Sequence, residues 1–378
     1  MHDDVVTSVS TAWESHFVNN VRVLVTINLC RVIASSQVDK KQVNLVDEHL
    51  MKNACPSALQ SMDFSLLQKE YTQEGKVEIA IAEKARCTDW RDLDLRVSCS
   101  LYASFDELPR ETWSGFDLYK CDGFWYLPPH LVAAMEAQSS FKARDDDVLL
   151  ASSMKTGTTW LKALIPCIMD PYARLVNDDD DGMPSPRLFR THLPYTKLPE
   201  SIKSPGNSKI VYITRNPKDA FVSLWHFFNS IRTVEQGPLP LIQMFDKYCN
   251  GVHAFGPFHD HVLEYWKESV KRPGKILFLK YEELKRDPRG EVKKLALFLG
   301  RPFGKEEEVD KVLWRCSFER LKSLEVNRNG VDPWVGFPHT AYFRLGVVGD
   351  WKNSLTEEMK ERLDQITSKK MEGSGLDL

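Results

Sequence analysis

The stretch Val148-Leu-Leu-Ala-Ser-Ser-Met-Lys-Thr-Gly-Thr-Thr-Trp-Leu-Lys162 reads as a buried strand, a tight polar loop and the start of a helix. Its first four residues are apolar without alternation, the pattern of a strand covered on both faces of a parallel sheet. Such a loop aims several backbone N–H groups and the positive end of the helix dipole at one point, which makes an anion site. Gly157 lets the backbone approach a phosphate, Thr158 and Thr159 add hydroxyl donors, and Lys155 supplies a point charge. In the nucleotide triphosphatase loop, Gly-x-x-x-x-Gly-Lys-Ser/Thr, the lysine follows the second glycine and the next hydroxyl holds Mg²⁺. Here Lys155 precedes the only glycine of the loop, so a less charged group held by lysine and backbone dipoles fits better, and no metal is expected.

Outward from this loop, Lys209-Ile-Val-Tyr-Ile213 and Lys275-Ile-Leu-Phe-Leu279 repeat the short apolar pattern. Helical spacing of apolar residues over 158–169, 217–229 and 291–299 fills the intervals. Alternation of strand and helix predicts an α/β fold, a central parallel β-sheet flanked by helices in three layers. The rhythm runs from Val148 onward and is missing from residues 1–100, which are expected to be an extension of unassigned fold ahead of one domain, 101–378. The run Asn177-Asp-Asp-Asp-Asp-Gly182 reads as a solvated loop, and the Gly/Ser-rich tail after Lys369 as mobile.

Composition narrows the partners. Charged residues make up 27% of the chain and the net charge is −3, so no global positive field draws in nucleic acid or an anionic membrane. Cys30, Cys55, Cys87, Cys99, Cys121, Cys167, Cys249 and Cys316 are scattered without a Cys-x-x-Cys pair, and the N-terminus carries acids where a secretion signal carries bases. A reduced, cytoplasmic protein is expected. The apolar stretch Val18 to Ala34 is broken by Asn19, Asn20, Arg22, Asn28 and Arg31, so no membrane span is expected.

Several further motifs occur in order along the chain. They are Phe116-Asp-Leu-Tyr, Gly123-Phe-Trp-Tyr126, Thr191-His-Leu-Pro-Tyr195, Arg215-Asn-Pro-Lys-Asp-Ala-Phe-Val-Ser-Leu-Trp-His-Phe227, Tyr281-Glu-Glu-Leu-Lys285, Cys316-Ser-Phe318 with Leu324-Glu-Val-Asn327, and Phe343-Arg-Leu-Gly346 with Gly349-Asp-Trp-Lys352. Together with Lys155-Thr-Gly-Thr-Thr-Trp160 they resemble the motifs of soluble sulfotransferases, especially the flavonol and steroid types of plants. The resemblance covers about Leu101 to Lys370. It implies a sulfotransferase domain of P-loop-NTPase-like architecture that moves a sulfuryl group from 3'-phosphoadenylyl sulfate (PAPS) to a hydroxyl of a small acceptor such as a phenol, flavonoid or steroid.

Residue by residue, the resemblance implies His192 as general base and Lys155 as the cation on the leaving phosphate. It assigns Lys155, Thr156, Gly157, Thr158, Thr159 and Trp160 to the donor's phosphates. Arg215, Ser223, Arg344, Leu345 and Gly346 are assigned to its 3'-phosphate, and Trp160, Tyr281, Cys316 and Phe318 to its adenine. Without it, a histidine at a strand end reads as structural and the three aromatics as core. The chemistry agrees with the implied roles, since a base needs a near-neutral group and a phosphate suits a guanidinium fork.

Four departures from the family pattern stand out. Met154 replaces a proline, Leu345 replaces the lysine of an Arg-Lys-Gly element, and the stretch from Lys162 to Arg187 is shortened. The dimer-type element appears as Lys352-Asn-Ser-Leu-Thr-Glu-Glu-Met-Lys-Glu361, with Glu357 in place of valine, so a monomer or weak homodimer is expected. Two alternatives stay open: a catalytically impaired nucleotide-binding relative, and a P-loop small-molecule kinase, which would require Mg²⁺ ligands and the Gly-Lys-Ser/Thr order.

Overall fold

The computed structural model describes residues 104–169, 186–332 and 337–378. The readings of residues 1–100, of the stretch from Val18 to Ala34 and of the acidic run at 177–182 lie outside these residues, as does most of the shortened stretch.

The described chain opens with a small antiparallel sheet of β1 (Arg110–Trp113), β2 (Phe116–Cys121) and β3 (Phe124–Tyr126). Its two-residue turns, Ser114-Gly115 and Asp122-Gly123, have positive φ at both positions, the hairpin geometry that matches the twist of the flanking strands. The Ser-Gly and Asp-Gly pairs are a legible hairpin signal in the sequence.

The central sheet contains β4 (Val148–Ser152), β5 (Leu188–Thr191), β6 (Lys209–Thr214) and β7 (Ile276–Lys280), in the order β5-β4-β6-β7 and all parallel. Around it lie α1 (Pro128–Ser140), α2 (Thr158–Met169), α3 (Pro217–Asn229), α4 (Leu241–Cys249), α5 (Phe258–Lys271), α6 (Tyr281–Arg286), α7 (Pro288–Phe298), α8 (Glu306–Arg315), α9 (Phe318–Ser323) and α10 (Glu357–Met371). Both faces of the sheet are covered, as the unalternating apolar runs require. Val148, Leu150, Val211 and Ile213 pack with Leu161, Leu164, Leu295 and Val309 on one side. Leu149, Ala151, Ile210 and Tyr212 pack with Leu198, Ile202 and Tyr265 on the other. The three-layer α/β expectation is met.

Two local expectations are corrected. The helix expected at 291–299 begins three residues earlier, at Pro288, because proline suits the first turn and the Asp287 carboxylate caps the Gly290 N–H. The tail after Lys369 is docked. Leu376 is buried in the apolar cluster, and Trp266 Nε1–H donates to the Ser374 carbonyl at 2.8 Å. Among the described residues no helix is long and apolar enough to cross a membrane.

Candidate active site

Every strand of the parallel sheet delivers one motif at its carboxyl end, where ligands of open α/β sheets bind. The anion loop follows β4, His192 follows β5, Arg215 follows β6, and Tyr281 follows β7. Arg215 is thus the first residue past its strand, which ends at Thr214.

The loop turns through two residues at positive φ, Lys155 at 64° and Gly157 at 119°. A Cβ on Gly157 would lie 2.9 Å from both Ile213 and Tyr281, so only glycine fits. The Thr156 hydroxyl donates to the carbonyls of Ser153 and Ile213, at 2.8 and 3.0 Å, and Thr158 pairs with the Ser152 hydroxyl at 2.7 Å. These two threonines therefore brace the loop with their side chains and leave the backbone N–H groups at the start of α2 as anion donors.

The Lys155 ammonium lies over aromatic faces, 4.1 Å from the Phe227 ring centre and 5.3 Å from that of Tyr342. Burial, with Arg215 and Arg344 nearby, lowers its pKa to about 7. A cation held among cations and rings is a group waiting for an anion.

His192 approaches the same loop from β5. Its Nδ1 lies 2.8 Å from the Ser152 carbonyl, an acceptor only, so Nδ1 carries the proton and Nε2 keeps its lone pair. Burial lowers its pKa to about 4 against the opposing effect of that hydrogen bond, while Arg190 and Lys155 lower it further. The imidazole is therefore neutral near pH 7, with a free acceptor nitrogen.

Arg215 is buried, stacks 4.6 Å from the Tyr281 ring centre and donates to the Val347 carbonyl at 2.6 Å. Its Nε–H is buried and has no partner among the described residues, which points to a missing acceptor. Ser223 lies half-buried on α3, and Arg344 pairs with Asp350 at 2.6 Å. Gly346, at φ 65°, packs so tightly that a Cβ would lie 2.7 Å from the Phe318 ring. Leu345 points to solvent, 47% exposed.

Trp160 and Tyr281 meet edge to face at 5.9 Å, and Phe318 contacts Phe343 at 6.2 Å. Cys316, implied at the adenine, is buried, and its thiol faces Cys167 in the core below the loop helix. Its side chain is thereby occupied within the protein.

Sequence reasoning missed Asp219. This buried carboxylate accepts the N–H groups of Gly349 and Trp351, at 2.7 and 3.1 Å, and lies 3.6 Å from Arg215. It ties the segment that carries Arg344 to the start of α3. An acid in a helix's first turn reads as a dipole partner, which hides this function.

Comparison with known proteins gives the relatives of this chain. Residues 172–375 match the sulfotransferase domain family. Cytosolic sulfotransferase 15 of Arabidopsis thaliana is 40% identical over 336 residues, which cover 80% of this chain and 93% of that protein. A flavonol 4'-sulfotransferase of Flaveria chlorifolia is 40% identical over 311 residues, covering 73% of this chain and 96% of its own. Among solved structures, a mouse sulfotransferase complexed with PAP aligns with a TM-score of 0.57 at 30% identity, covering 68% of this chain and 95% of the mouse chain.

Proposed function

Because this chain belongs to the sulfotransferase family and transfers sulfuryl groups, we propose that its donor is PAPS, its acceptor a small phenol or alcohol, and His192 its general base. The single observation that carries the reading is the His192 tautomer. The Ser152 carbonyl holds the proton on Nδ1, which leaves Nε2 to accept one. In the proposed step Nε2 takes the acceptor's O–H proton as the new O–S bond forms. The S–O bond to the donor's phosphate breaks, and its electron pair leaves on the phosphate oxygen of 3',5'-adenosine diphosphate (PAP). Lys155 stabilises the charge that grows there.

The residues present suit such a nucleotide. Arg215 offers an unpartnered buried Nε–H, Arg344 and Ser223 add donors for a 3'-phosphate, and Trp160, Tyr281 and Phe318 offer flat surfaces for a purine. The mouse relative's complex with PAP supports the donor class, and the flavonol enzyme supports a phenolic acceptor. The names of the relatives support a cytosolic setting. A second reading, nucleotide binding with impaired turnover, is favoured by exposed Leu345 where the family has lysine, and by the Arg344–Asp350 pair.

Calorimetry with PAP and no added Mg²⁺ tests the donor site. Micromolar binding weakened by both Lys155→Ala and Arg215→Ala supports it, whereas folded protein that does not bind PAP contradicts it. Binding without turnover on any phenol or steroid alcohol selects the second reading.

A further inference from the structure

Two buried side chains outside the site just described, Tyr212 and His261, form a hydrogen-bonded chain that ends on the backbone of His192. His261 Nε2–H donates to the His192 carbonyl at 3.0 Å. That proton placement leaves Nδ1 as the acceptor of the Tyr212 O–H, at 2.9 Å. Tyr212 lies on β6, paired in register with Ala151 just before the loop begins, and its hydroxyl faces the backbone of Ser153. Both side chains are 0% exposed. Tyr212 also stacks on Tyr265 at 4.1 Å and 15°, and Tyr265 O–H donates to the next carbonyl, that of Leu193, at 2.8 Å.

The bonds hold His192 from two sides. The Ser152 carbonyl reaches its ring, and the chain from Tyr212 through His261 reaches its own carbonyl. The base is therefore fixed at both its ring and its backbone, to the end of β4 and to the buried side of β6. Within a core of aromatic and aliphatic side chains, such a polar chain is sustained only when every member is satisfied, and it then holds one geometry.

We propose that Tyr212 and His261 are positioning residues for sulfuryl transfer, holding His192 Nε2 in a fixed place relative to the Lys155 loop. The proposal rests on the reading of His192 as the base. Neither residue touches the reacting atoms. Their effect comes through placement, where an error of about 1 Å costs on the order of a hundredfold in rate.

The test measures kcat, acceptor KM, PAP affinity and melting temperature for Tyr212→Phe, His261→Gln, His261→Leu and His192→Ala. Gln can keep an N–H donor near the position of His261 Nε2, whereas Leu cannot. We expect Tyr212→Phe to lower kcat by about tenfold, with KM and PAP affinity within about twofold of wild type. His261→Gln should retain more kcat than His261→Leu. Wild-type kcat in folded Tyr212→Phe would overturn the proposal, as would a kcat loss matched by equal losses of PAP affinity and thermal stability. If the His261 variants do not fold, Tyr212→Phe decides. Turnover retained by His192→Ala would overturn the base reading itself, and the positioning proposal with it. An inactive His192→Ala beside a fully active Tyr212→Phe would overturn the positioning proposal alone.

Discussion

Lys155 and His192 have opposite tasks, and burial together with neighbouring cations lowers the pKa of both. With pKa values near 7 and near 4, the free enzyme holds Lys155 charged and His192 neutral together only between those limits. We expect kcat/KM for the donor to follow a bell, falling below about pH 4 as His192 gains its proton and above about pH 7 as Lys155 loses its own. A bound phosphate favours the ammonium, so PAP binding near pH 7.5 should take up protons. Calorimetry in buffers of different ionisation enthalpy will read that uptake, and Lys155→Met should abolish it. At Leu345, the lysine of the family pattern can be restored. Because the position is half open to water, Leu345→Lys should tighten PAP binding by only about three- to tenfold in a titration.

Among the elements, the segment from Phe343 to Trp351 depends on Asp219 more than on any regular structure. Asp219 on α3 accepts two of the segment's N–H groups, and Arg215 just before α3 donates to its Val347 carbonyl. Asp219→Ala should lower stability by about 1–3 kcal/mol, since it strands two half-buried amides and leaves the buried Arg215 charge without its carboxylate. It should also weaken PAP binding, while Asp219→Asn, which keeps one acceptor oxygen, falls between Ala and wild type in denaturant melts. The strands were the most legible elements in the sequence, because β4 and β6 are buried on both faces and cannot alternate, and β7 is apolar over Ile276–Leu279. The short β1–β3 sheet was not read, although its two-residue turns are encoded in Ser114-Gly115 and Asp122-Gly123. The docked tail was illegible for a physical reason. Its anchor, the Trp266 indole, lies more than a hundred residues away, and no local pattern announces such a bond.

Across the whole molecule, the candidate site was legible wherever chemistry and backbone coincide, as at Gly157 and Lys155. It was not legible where a side chain's direction decides its use. Thr156 and Cys316 sit in motif positions, yet their side chains bond within the protein, and Asp219, Tyr212 and His261 act through partners far along the chain. Burial of histidines also sets the acid limit of the fold. It lowers His130, His192, His253 and His259 to about pKa 4 and His261 to about 3, so all five fold as neutral rings. Below their unfolded pKa of roughly 6.5 the unfolded chain binds more protons, so stability falls as pH drops from there toward 4. Urea melts at pH 7, 6, 5 and 4 should show midpoints declining through that window, and a flat series would contradict it.

The measurement that tests the central claim most directly is single-turnover transfer of ³⁵S-labelled sulfuryl from PAPS to a panel of phenols and steroid alcohols, by wild type and His192→Ala. We expect label on at least one acceptor with wild type, and a loss of about a hundredfold or more in His192→Ala at unchanged PAP affinity. Transfer by His192→Ala at the wild-type rate, or no transfer to any acceptor by wild type that binds PAP, would contradict the claim.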